Sequence, residues 1–220
     1  GRLGGAASRR PVTPDTLEGL MALYDAGEAE GGFEPGVRMA LEGILASPHF
    51  VFRFEEPPAD IIGDLVAGQT YRIGGFALAS RLSYFLWAAP PDAELRRVAS
   101  SGALLDDRVL EAQVLRMLAD PKAEALGPRF AGQWLRLQDL DKIHPDVRLQ
   151  PDFHQQLADA MRRETELFFN SLVRDDRSVL DLYAADYTFV NERLAKHYGI
   201  PGVSGEHFRR VNLPAFGSPT

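Results

Sequence analysis

The stretch FHQQLADAMRRETELFFNSLV, Phe153 to Val173, decides the fold class. It contains no glycine or proline, and its apolar residues recur at helical spacing. At about 100° per residue, Leu157, Ala160, Leu167 and Phe168 all fall within about 60° of Phe153. Such a stripe predicts one long amphipathic helix, opened by Pro151 and running to about Val173. One residue breaks the pattern. Glu164 falls about 20° from Phe153, in the middle of the apolar face, whereas Glu166 falls roughly opposite and reads as surface. A carboxylate at that place is expected to be buried or half-buried, and therefore to need a partner.

A second apolar helix is predicted over GFALASRLSYFLW, Gly75 to Trp87, ended by Pro90-Pro91. It is apolar almost all the way round, as buried helices are, and its one charge is Arg81. An unpaired buried charge costs several kcal/mol. The economical expectation is that Glu164 and Arg81 pair and set the register of two core helices, the planar guanidinium suiting a carboxylate. Arg129 and Arg136 are the alternative partners, although both lie off the apolar stripe of their own segment. The other use of a carboxylate in such a place is as a general acid with a raised pKa. An arginine partner would lower that pKa instead.

Working outward, Thr13-Pro14 reads as a cap followed by proline at the first helical position. Leu17, Leu20, Met21 and Tyr24 continue that helix, and GEAEGG ends it. A helix is expected over Val37 to Ala46, stopped by Ser47-Pro48. HFVFRFE, His49 to Glu55, reads as a short extended segment. Residues 57–70, with paired prolines and scattered glycines, read as a linker. Short helices are predicted over Asp92 to Ser100 and Leu105 to Leu118, separated by Gly102. Asp120-Pro121 opens a further helix toward Leu137, with Leu126, Phe130, Trp134 and Leu137 on one stripe and a kink at Gly127-Pro128.

The segment YTFVNERLAKHYGIP, Tyr187 to Pro201, is rich enough in polar groups to resemble an active site. It also reads as a closing helix. Thr188 would cap it, Phe189, Val190, Leu194 and Tyr198 would form its apolar face, and Glu192 and Lys196 would pair four apart. Gly199 would supply the left-handed cap. Asn191 is then expected to anchor the helix by a bond to backbone. After Pro201 the chain reads as irregular.

The fold expected is mainly α: a multi-helix orthogonal or bundle-like domain over residues 71–200, preceded by a small helical domain over 1–56 and the linker at 57–70. Residues 201–220 would begin a further domain. Net charge is −7, and no run of basic residues points to nucleic acid. There is no cysteine, which excludes disulfides, thiolate metal sites and a C-x-x-C-H haem attachment in these residues. No apolar run approaches the roughly 20 residues of a membrane span. The start, GRLGGAASRRPVT, has no signal-peptide core and no initiating methionine, so the chain reads as a piece of a longer protein.

Motifs for chemistry are sparse. His49, His144, His154, His197 and His207 show no metal-ligand spacing. Asp139, Asp141 and Asp146 lack the glycine and terminal glutamate of a calcium loop. There is no phosphate loop and no nucleophile elbow. Ser80 and Ser83 read as back-bonded helix serines. No metal or cofactor-binding residues are assigned, and no catalytic residue is identified. Paired carboxylates for a hydrolase could be drawn from Glu164 with Asp186 or Glu192.

The blocks LEGILASPHFVFRFE, RLSYFLWAAPPDAEL, QVLRMLADPKA, FAGQWLRLQDL, AMRRETELFF and DYTFVNERLAKHYGI occur in order along the chain. Together they resemble the planctomycete-type domains of unknown function. Residues 11–55 resemble the small preceding domain, about 70–200 the main one, and FRRVNLP the opening of a following domain. The resemblance implies a large periplasmic or secreted protein, often with a cytochrome c-like domain. Haem would then lie in a neighbouring domain, with no cofactor in this chain, and the partners would be other domains of the same polypeptide. It implies no established reaction. A helical structural or interaction module is the expected role, with Arg81, Glu164 and Asn191 as its structural polar residues. A carboxylate hydrolase acting on an extracellular substrate such as a glycan is the alternative.

Overall fold

A computed structural model describes residues 5, 7, 9, 11–53, 55, 66, 68, 70–146 and 148–213. The expected linker therefore lies almost wholly outside the described residues. The protein is mainly α, in two compact units, Gly1–Arg116 and Met117–Thr220.

The first unit begins with a helical hairpin, α1 (Pro14–Gly31) and α2 (Phe33–Ala46). The Thr13 hydroxyl accepts the Thr16 N–H at 3.3 Å, supplying the cap that the Thr-Pro pair predicts. Gly32, at φ +86°, makes the turn, a conformation that side chains resist. The helices cross where Gly27 meets Gly36, the two buried residues of the hairpin. The extended segment expected over His49 to Glu55 is helical through Val51, and the backbone becomes extended at Phe52. Pro48–Val51 is one further helical turn, because proline at a first helical position restarts a helix as readily as it ends one.

The core of this unit is built by α3 (Gly75–Trp87) and α4 (Ala93–Ser100), with the tight turn Ala103–Leu105 packed against both. Ala79, Leu86, Trp87, Leu95, Val98, Ala99 and Leu104 are buried. Gly75 lies so close to the Ala99 carbonyl that a Cβ would stand 2.9 Å from its oxygen. Asp92 caps α4 by accepting the Leu95 N–H at 2.8 Å, and the same carboxylate takes a bidentate bond from Arg116. Ser83 donates back to the Ser80 carbonyl at 3.1 Å. The last helix here, α5 (Asp107–Ala119), contains the division between the units.

In the second unit the helix expected from Asp120 toward Leu137 is broken into short pieces. A tight 3-10 turn over Pro121–Ala125 is followed by a wide π turn over Gly127–Ala131 and a single α turn over Gly132–Trp134. The Gly132 N–H donates to the Gly127 carbonyl, five residues back, which makes this a π turn. The backbone is also pinned at Gly127, where a Cβ would lie 2.9 Å from the Asn170 amide nitrogen. Asn170, itself buried, donates to the Glu124 carbonyl at 3.0 Å. Phe130 and Trp134, expected on a buried stripe, are exposed on these turns.

The long helix is α6 (Gln155–Arg174). It starts four residues later than Pro151 suggests, because His154 is the cap and its Nδ1 accepts the Leu157 N–H at 3.2 Å. One side of α6 meets the π turn and another meets a two-stranded sheet. The first contact explains Glu166, expected at the surface but with a side chain only 12% exposed and paired to Arg163 at 3.1 Å: its carbonyl oxygen would lie 3.1 Å from a Cβ on Gly127 of the π turn.

The sheet is the largest departure from the expected helices. β1 (Tyr187–Val190) pairs antiparallel with β2 (Arg209–Asn212), Tyr187 opposite Asn212 and Val190 opposite Arg209. The segment after Pro201 is thus not irregular throughout. The closing helix, α7, covers only Glu192–Tyr198, and its cap is Asn191 rather than Thr188. Leu157, Ala160, Val190, Leu194 and Ala195 form the core between α6, β1 and α7, with Phe153, Met161 and Val211 packed on it.

Candidate functional site

A cleft of about 990 Å³ lies in the second unit. Its walls come from α6 (Glu164, Phe168), the turn Asp181–Ala184 (Tyr183), β1 (Tyr187, Thr188) and the end of α7 (Tyr198). Glu164 reaches it because the apolar stripe of α6 that carries the carboxylate faces β1 and α7.

Both oxygens of Glu164 are engaged by hydroxyls. Thr188 donates a short hydrogen bond to Oε1, and Tyr198 donates to Oε2 at 2.7 Å. Burial, together with the carboxylate beside it, pushes the Tyr198 phenol above its ordinary range. The phenol therefore stays protonated and remains a donor through neutral pH. Elsewhere the residue keeps 44% of its surface exposed. Asp181, the other carboxylate of the lining, is held by Arg177 at 2.8 Å.

Arg81 and Glu164, expected to pair, lie in different units, and each is bound within its own. Arg81 is 60% exposed and binds Glu55 through two nitrogens, Nε and Nη2. The helix is apolar around it, but the arginine points outward, as its long stem allows. Glu164 instead meets the cost of its half-buried place with neutral hydroxyl donors. Asn191 is 5% exposed, and its Oδ1 accepts the Leu194 N–H at 3.1 Å.

The carboxylates that could have joined Glu164 do not line its cleft. Asp186 is exposed, and its carbonyl accepts from Leu213 N–H. Glu192 lines a separate hollow, with His154, Arg193, His197 and Glu206. It accepts the Gly205 N–H at 2.7 Å and pairs with Lys196 at 2.6 Å. The backbone bond first, and the lysine second, hold its carboxyl below the ordinary 4.5. A depressed folded pKa contributes stability that is present above 4.5 and is lost as the pH falls through the folded value. Glu192→Gln is therefore expected to lower the unfolding midpoint at pH 7 and to leave it unchanged once the pH is below the folded value, where the side chain at position 192 is uncharged in both proteins. Equal midpoints at both pH values would remove the claim.

In the first unit a hollow of about 610 Å³ is lined by Arg9, Arg53, Glu55, Arg81 and Tyr84. The Arg9 side chain is spent on structure, donating to the carbonyls of His49 at 2.6 Å and Phe52 at 2.7 Å. Arg53 stacks on Tyr84, 4.5 Å from its centroid. Among the described residues no group of three or more His, Asp or Glu is placed to hold a metal ion.

Sequence reasoning found Glu164 from its position on the wheel but missed Thr188, Tyr198 and Tyr183. A half-buried carboxylate without an arginine must find other donors. That condition points to hydroxyls, but it does not say which.

Among protein families, residues 73–200 match the model described as PSD4: Protein of unknown function (DUF1592). Residues 1–55 match PSD5: Protein of unknown function (DUF1595). The first match ends before β2 begins. No curated protein and no solved structure matches the chain.

Proposed function

The chain belongs to the DUF1592 family of proteins of unknown function, and on that premise we propose that it is a helical structural and interaction module of a large exported multidomain protein. Its partners are other domains of the same polypeptide, a cytochrome c-like domain among them, and its setting is periplasmic or secreted. The observation that carries the reading is the state of Glu164. Its two oxygens are held by Thr188 and Tyr198, and the second carboxylate of the cleft is neutralised by Arg177. A glycosidase needs one carboxyl kept protonated and another free to act as base or nucleophile. The lining supplies no second free carboxyl to complete such a pair, since Asp181 is bound to Arg177. The cleft offers surface instead, with Tyr183 88% exposed at its wall and Leu213 partly exposed beside it.

A photo-crosslinking amino acid at position 183 of the full-length protein tests this. Cross-links to peptides of another domain are expected, with no turnover of a panel of soluble glycans. Hydrolysis of any of those glycans that is lost in Glu164→Gln would overturn the module reading in favour of the hydrolase.

A further inference from the structure

We propose that the cleft at Glu164 is a socket for an arginine side chain presented by a partner segment. The inference rests on the reading of the chain as an interaction module and names the chemistry of what docks.

Charge is the first argument. No lysine, arginine or histidine is among the described residues lining the cleft. Among the described residues Asp181 has Arg177, but Glu164 has only the neutral hydroxyls of Thr188 and Tyr198. A carboxylate offers about four acceptor sites, so two remain after those bonds. A half-buried negative charge that lacks a cation gains more from a charged donor than from a neutral one.

The walls are the second argument. Phe168, Tyr183 and Tyr198 present rings to the cleft, and Tyr183 is 88% exposed. An aromatic surface beside a carboxylate suits a planar guanidinium, which stacks with its face and donates with its edge. The same region already uses this chemistry. Tyr187, also in the lining, carries the guanidinium of Arg210 at 3.7 Å from its centroid and that of Arg177 at 4.9 Å. Among the described residues those internal arginines leave Glu164 as the acceptor with no cation bound to it.

A neutral polyol is a poorer fit. The Thr188 and Tyr198 hydroxyl protons are committed to Glu164, so they cannot also donate to sugar oxygens. A metal ion would find one carboxylate and no second carboxylate free in the lining, since Asp181 is bound to Arg177.

The test is a ¹⁵N NMR titration of the whole chain with Nα-acetyl-arginine methylamide. The neutral urea analogue, Nα-acetyl-citrulline methylamide, and maltose serve as competitors. Saturable shifts are expected at the amides of Thr188, Tyr198 and Gly199 with the arginine compound alone. Glu164→Gln is expected to weaken it by about tenfold, a step of about 1.4 kcal/mol. Tyr183→Ala, at an exposed position that cannot disturb the core, is expected to weaken it several-fold. Equal binding of the citrulline analogue, binding of maltose instead, or a Tyr183→Ala and Glu164→Gln pair that binds like wild type would each overturn the socket. So would the absence of arginine-induced shifts at the cleft. None of these results touches the cross-linking at position 183, so failure of the socket and failure of the module reading are separately visible.

Discussion

Leu194→Ala is expected to cost the second unit about 2–5 kcal/mol, the usual range for emptying a fully buried leucine site. Leu194 is 0% exposed and lies among Leu157, Ala160, Val190 and Ala195. The gap it would leave has little means of closing. Its helix is tied at one end by the Asn191 cap and at the other by the left-handed Gly199 at φ +71°. For a unit of this size the loss corresponds to a fall in melting temperature of roughly 10 °C or more. Tyr198 sits one turn further along the same helix, so its bond to Glu164 is expected to loosen too. Lys196→Ala on the opposite, exposed side removes only a surface pair and is expected to shift stability by at most a few tenths of a kcal/mol. Thermal unfolding by circular dichroism compares the two. A fall of less than about 1 kcal/mol for Leu194→Ala would mean that the α6–β1–α7 core is not packed as described.

The second large effect is expected at the hairpin. In Gly27→Ala the new Cβ would stand 2.6 Å from the Pro35 carbonyl oxygen and 2.9 Å from its carbon. Both are backbone atoms, so no side chain can swing aside, and the helices must part. Alanine would favour α1 by about 1 kcal/mol through helix propensity alone. Overpacking costs typically about 1–3 kcal/mol and here should outweigh that gain. Gly19→Ala is the matched control, because nothing lies within 4 Å of its Cβ position. It is expected to leave the hairpin intact or strengthen it slightly. Amide hydrogen exchange over residues 14–46 reads both, with protection lost for Gly27→Ala and kept for Gly19→Ala. Retained protection in Gly27→Ala would show that α1 and α2 do not cross at Gly27 and Gly36.

Features that depend on a few neighbouring residues were legible in the chain itself. Thr13-Pro14, Asp92 and Gly199 mark helix ends by chemistry that acts within one turn, and α3 runs over the residues its apolar pattern marks. Glu164 stood out because one charge in an apolar stripe is visible on a wheel. The misreadings share one cause. Tyr-Thr-Phe-Val is compatible with a strand, but a four-residue strand has no meaning without its partner, and that partner, Arg209–Asn212, lies about twenty residues later, beyond a helix and a loop. Once β1 is a strand, the helix cannot begin until Asn191, so the cap moves from Thr188. The helix after Asp120 fails for a similar reason, since the approach of Gly127 to Asn170 is a contact across the fold.

By itself, then, the sequence determined the helical class, the main helix boundaries set by caps and breakers, and the presence of one carboxylate that had to be satisfied. Only the tertiary structure decided how. Arg81 turned outward to Glu55, and Glu164 turned to Thr188 and Tyr198. The reason is physical. Burial creates the demand for a partner, and burial can be read from periodicity. Which donor meets the demand depends on distances between segments far apart in the chain, and periodicity carries no record of those.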